Sequence, residues 1–127
     1  MLNARLYPDM LHLTRNVQTV CDTAKGAAVR LSQTENPSFA DDETTFDQLQ
    51  VRFQKTLYFI ASVPEATFEG AEDREVTLQA GPQEFKFSGI GYLSAFVWPN
   101  FYFHMTTAHG ILRHNGVAIG KRDFLGA

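Results

Sequence analysis

The 127-residue sequence is poor in the features that most often announce a function. It has one cysteine, Cys21, which can form no internal disulfide and belongs to no CxxC or zinc spacing. It has no excess of positive charge. Eleven Lys and Arg stand against 14 Asp and Glu, a formal net charge of −3, so no basic field gathers phosphates and nucleic acid is not an expected partner. No apolar run approaches the ~18–20 residues needed to cross a bilayer, so no membrane association is expected. The first residues, Met1 to Arg5, lack the charged-then-apolar layout of a signal peptide. There is no glycine-rich phosphate loop and no nucleophile elbow for Ser-His-Asp chemistry. These absences predict a cytoplasmic protein without a familiar catalytic signature.

What is present is apolar and periodic. The composition is 44% hydrophobic and 20% charged, enough apolar surface for a core, and the length suits one domain over residues 1–127. Met10, Leu13, Val17, Val20, Ala24, Ala27 and Leu31 recur at spacings of three and four, which predicts a helix over residues 7–31 with one buried face. Pro8 falls at its start, and Gly26 is an interior weakness or a close helix contact. A polar linker, residues 32–43, precedes a second helix. Thr45 and Gln48 form a capping box, Phe46, Leu49, Phe53, Leu57, Ile60 and Val63 form the stripe, and Pro64 ends it. The period then changes to two. Val76 and Leu78, then Phe85 and Phe87, alternate with polar residues around Ala80-Gly81-Pro82-Gln83, predicting a short hairpin with one apolar face.

The last long element, residues 89–114, is apolar in nearly every direction and has no Asp, Glu, Lys or Arg before Arg113. Such a helix is expected to be enclosed on several sides, with Pro99 breaking one interior bond and kinking it. Asn115-Gly116 supplies its stop, and the tail containing Lys121-Arg122-Asp123, Ile119 and Phe124-Leu125 is expected to pack back. Three helices leave one flank of this segment open, and a large exposed apolar patch points to a partner surface. A second copy of the chain is the expected cover.

Three of the four histidines, His104, His109 and His114, lie in that last helix. Steps of five turn a helix by roughly 140°, so the three cannot share a metal. The pair with usable spacing is Asn100 and His104, four residues apart on one face, but an amide is a poor ligand for zinc or nickel. The plainer reading is a buried polar pair with His104 bonded to a carbonyl or hydroxyl. His12 reads as a solvated flank residue. His109 and His114 suit the C-terminal end of the helix dipole. Asp22 with Lys25 reads as a surface pair, Cys21 as a small hydrophobe rather than a reactive thiol, and the aromatic string from Phe96 to Phe103 as core.

Four segments resemble one family together: LNARLYPDMLHLTRNVQTVCDTAKGAAVRL, DDETTFDQLQVRFQKTL, GAEDREVTL and PNFYFHMTTAHGILRHNGVAIGKRDFLG. They are similar to DUF1993, within the DinB/YfiT-like superfamily of proposed metalloenzymes. The resemblance implies an all-α fold, an up-down four-helix bundle with a small β-hairpin before the last helix, usually dimeric. It also implies a further N-terminal helix, so the chain is expected to start after that helix and to leave its groove for a neighbouring copy. In the metal-binding branch, two histidines spaced HxxxH on the last helix and one on an earlier helix hold a divalent ion such as zinc or nickel. Laid on this chain, the motif puts His104 at the second position and Asn100 at the first. On the earlier helix Arg15 or Gln18 comes nearest, and His12 is a turn too early. The resulting expectation is a dimeric helical domain with a degenerate metal site, a remnant made of His104 and Asn100. The alternatives are a metal- or thiol-cofactor-dependent transferase or hydrolase using His104 as ligand or general base, and a small-ligand binding module.

Overall fold

The computed structural model describes all of residues 1–127. The chain is mostly helical with one two-stranded antiparallel hairpin. Its elements are α1 (Leu13–Ser32), α2 (Phe46–Ser62), single 3-10 turns at Glu65–Phe68 and Ala71–Asp73, β1 (Glu75–Ala80), β2 (Gln83–Ser88), α3 (Gly89–Tyr92), a π-helical turn at Leu93–Val97, α4 (Trp98–His114) and α5 (Lys121–Leu125). No helix is long and apolar enough to cross a membrane.

Helix α1 is central and packs against both α2 and α4. Its apolar face makes two core clusters: Leu13 and Val17 with Leu49 and Ile111, and Ala27 with Val76, Tyr92 and Val97. The hairpin runs in the register Val76↔Phe87 and Leu78↔Phe85 around a two-residue loop. Gly81 takes φ +59° at the first loop position, where a primed turn needs a positive angle. At the hairpin's exit Gly89 is obligatory, because a Cβ there would lie 1.7 Å from the Ala71 carbonyl oxygen.

Several boundaries differ from the sequence expectation. Helix α1 begins at Leu13, not near Tyr7. Residues 1–12 instead form turns that fold back over its start. The Leu13 and Thr14 N–H groups donate to the Ala4 and Leu2 carbonyls at 3.0 and 3.1 Å, which satisfies donors that a helix start leaves unpaired. Pro8 and Met10 therefore lie outside the helix. Gly26 marks no close helix contact, since the atom nearest a Cβ there would be the guanidinium of Arg30 in the same helix.

Pro99 breaks no α-helical bond. The π-helical turn directly before it carries the Trp98 N–H to the Leu93 carbonyl, which re-registers the ladder so that Pro99 falls in the first turn of α4. Proline has no missing partner there.

The last helix is also not enclosed all round. Tyr92, Val97, Thr107 and Ile111 are buried, but Trp98, Tyr102 and Phe103 are 46%, 49% and 59% exposed. Within this chain α1 and the hairpin wall only one side. The aromatic string is thus core on one edge and surface on the other, with Trp98 stacked on Tyr102 at 5.8 Å in the open. Between α2 and α4, across the face of α1, an apolar groove stays open. One stretch of about 290 Å³ is lined by Cys21, Phe53, Leu57, Phe101 and Met105 among others. A second of about 300 Å³ continues it toward Phe124.

Candidate functional site

The first turn of α1 sets the site. His12 caps the helix, its Nδ1 accepting from the Arg15 N–H at 3.1 Å, so it is a capping residue and not a free flank side chain. One turn on, Asn16 is 1% exposed. Its amide nitrogen donates to the Leu11 and His12 carbonyls at 2.9 and 3.0 Å. With both donors spent, the Asn16 Oδ1 is the atom that faces α4, and it lies 2.8 Å from the His104 Nδ1. An amide oxygen only accepts, so Nδ1 carries the proton and Nε2 keeps the lone pair. Burial first, and the positive charge of Arg15 second, hold the His104 pKa below its ordinary value.

Asn100 does not join this contact. Its amide donates to the Phe96 carbonyl of the preceding turn at 2.8 Å. His109 and His114 lie elsewhere. The His109 Nε2 donates to the Gly120 carbonyl at 3.0 Å and its ring meets Phe124 edge-on at 5.7 Å, tying α5 back to α4. His114 is the exposed last residue of α4. Cys21 is buried, and burial raises its pKa, as befits a small core hydrophobe.

The residue facing His104 from α1 is Asn16, rather than the Arg15 or Gln18 to which the resemblance points. Those two look outward into a polar cleft of about 450 Å³ lined also by His12, Asp41, Glu43 and Thr44. Arg15 Nη1 donates to Gln18 Oε1 at 3.3 Å and to Asp41 Oδ2 at 3.1 Å, and Gln18 Nε2 donates to Glu43 Oε2 at 3.0 Å.

Behind this cleft sits Arg52 of α2, 2% exposed. It pairs with Asp22 and Asp41 at 2.9 Å and with Glu43 at 2.7 Å, and donates to the Ala40 carbonyl at 3.2 Å. Burial alone would raise the Glu43 pKa, but hydrogen bonds from Arg52 and Gln18 outweigh it and hold the carboxyl below its usual range. Asp22 is thereby committed to Arg52, and the surface pair expected with Lys25 does not form. Sequence reasoning missed Arg52 and Asn16. The only available signal was a charged Arg52 sitting three residues after Leu49 and four before Thr56, on the face that turns inward.

These donors decide whether the divalent ion of the DinB/YfiT-like pattern has ligands here. His104 offers one nitrogen, Asn16 and Asn100 are amides, and the nearby charge is a guanidinium. No group of three or more His, Cys, Asp or Glu side chains is placed to hold a metal ion. The residues do not fit such an ion.

The fold is of the DinB class. A crystal structure of a DinB family member protein from Shewanella denitrificans, at 1.83 Å resolution, matches with a TM-score of 0.91 and 41% sequence identity, over 99% of this chain and 71% of that chain. No curated protein matches. A family model described as a domain of unknown function, DUF1993, matches residues 1–125, and the chain belongs to that family.

Proposed function

We propose that this chain is a metal-independent DinB-like domain in which the three-histidine ion site has degenerated, leaving His104 and Asn100 as its remnant. The observation that supports this reading most strongly is the donor set: His104 is the one imidazole there, and Asn100, four residues before it, spends its amide nitrogen on the Phe96 carbonyl at 2.8 Å. Amides are poor ligands for zinc or nickel, and the positive charge of Arg15, which lowers the His104 pKa, opposes a divalent cation. Metal analysis of protein purified without chelator tests this. The reading predicts nickel and zinc far below one equivalent, unchanged in His104→Ala. One equivalent of either metal that is lost in His104→Ala would overturn it.

The Asn16–His104 hydrogen bond at 2.8 Å favours a second reading, the thiol-cofactor-dependent form of the metal- or thiol-cofactor-dependent transferase or hydrolase. A neutral imidazole with its tautomer fixed leaves Nε2 free to accept the proton of an incoming thiol or water, the role of a general base. That reading requires a rate that rises with pH through the His104 pKa and a limb that vanishes in His104→Gln.

The open groove between α2 and α4 supports a partner-covered state, and we propose a homodimer, with the cytoplasm as its compartment. The groove has an apolar lining, and exposed apolar area of this extent marks an association surface.

A further inference from the structure

Lys25 lies apart from the His104 site and is 8% exposed. Its ammonium has three donors, of which one is used, on the Pro37 carbonyl at 2.6 Å. The ring of Phe39 lies 4.6 Å away. Arg30, five residues further along α1, donates through Nη1 to the Tyr92 hydroxyl at 3.0 Å. It folds back over Gly26, where a Cβ would come within 2.4 Å of that nitrogen. Neither cation has a carboxylate partner, because every ion pair of the chain belongs to Arg15 or Arg52. Both line one cleft of about 300 Å³ between α1 and the linker that follows it.

Charge and chemistry narrow what the cleft would take. A buried charge is costly unless it is paired. The carboxylates on the cleft wall, Asp22 and Asp41, are already bound by Arg52, and Asp41 also by Arg15. Together with Glu43, three carboxylates face these two guanidiniums, so adding Lys25 and Arg30 leaves the cluster with one positive charge in excess. A single surplus charge matches a carboxylate and is too little for a dianionic phosphate. Asn36 and Ser38 stand on the linker wall of the same cleft and add neutral donors.

We propose that this cleft binds a small molecule through its carboxylate, held between Lys25 and Arg30, independently of any chemistry at His104. Binding also braces the linker, because Lys25 already grips it at Pro37. Two-dimensional ¹H–¹⁵N spectra of the full chain, titrated with sodium acetate and separately with inorganic phosphate at constant ionic strength, test it. Acetate is expected to give saturable shifts concentrated in residues 22–41, with weaker binding of phosphate. Lys25→Met and Arg30→Gln should each weaken acetate binding by about tenfold, the loss of one charge-assisted hydrogen bond. Lys25→Met also releases Pro37, so Arg30→Gln is the variant that leaves the linker's own anchor intact. Shifts that stay linear with acetate or that sodium chloride reproduces would overturn the proposal. So would phosphate binding more tightly than acetate, or an Arg30→Gln protein that binds acetate as well as the parent.

Discussion

His104 is pressed toward its neutral form by burial and by the guanidinium of Arg15. Because the folded-state pKa lies below the ordinary 6.5, the unfolded chain takes up the proton more readily. Stability is therefore unaffected above that value and falls as pH drops from it toward the folded pKa. Arg15→Gln should raise the His104 pKa measured by NMR titration; an unchanged value would remove Arg15 as a cause. Arg52 is the other decisive residue. Arg52→Met leaves Glu43 buried without its partner, while Asp22 and Asp41 stay partly open to water, so the expected loss is about 3 kcal/mol, the low end for breaking a buried pair. Glu43 works in the same pH direction as His104, over a more acidic range. Its folded pKa is lowered, so its stabilisation is present above the ordinary 4.5 and disappears as pH falls through the lowered value. Glu43→Gln should flatten that acid limb in denaturation curves taken between neutral and low pH.

At the scale of elements, α2 is the part most plainly written in the sequence. Thr45 and Gln48 form both bonds of the capping box, as their spacing predicts. Thr45→Ala should cost about 1 kcal/mol in chemical denaturation, and a change within error would mean that tertiary packing alone sets the helix start. The hairpin and the Asn115-Gly116 stop were legible for the same reason, since Gly81 and Gly116 adopt the positive φ their turns need and turn chemistry is local. The start of α1 was not legible. It depends on the carbonyls of Leu2 and Ala4 folding back from a segment whose own apolar spacing continues the helical pattern. Nor was the partner of His104, because Asn16 lies 88 positions away and reads in isolation as a residue of the polar face. Residue 99 shows the same limit, since the π-helical turn that spares the proline its missing bond has no compositional mark.

For the whole molecule, a central α1 with α2 and α4 on either side leaves one apolar groove open, and the exposed rings of Trp98, Tyr102 and Phe103 extend the apolar surface beyond it. Sedimentation velocity over a range of concentrations should show a dimer that persists at micromolar protein, and a monomer throughout would contradict a self-covered groove. The resemblance in sequence reached the family and the mostly helical fold, but a motif alignment could not show what the side chains at the ion position do. That question turns on one imidazole. Long-range ¹H–¹⁵N spectra of the histidine rings, recorded before and after one equivalent of zinc, address it directly. The account predicts His104 protonated at Nδ1, with an Nε2 resonance that zinc does not move. A stoichiometric shift of that Nε2 on adding zinc would contradict it.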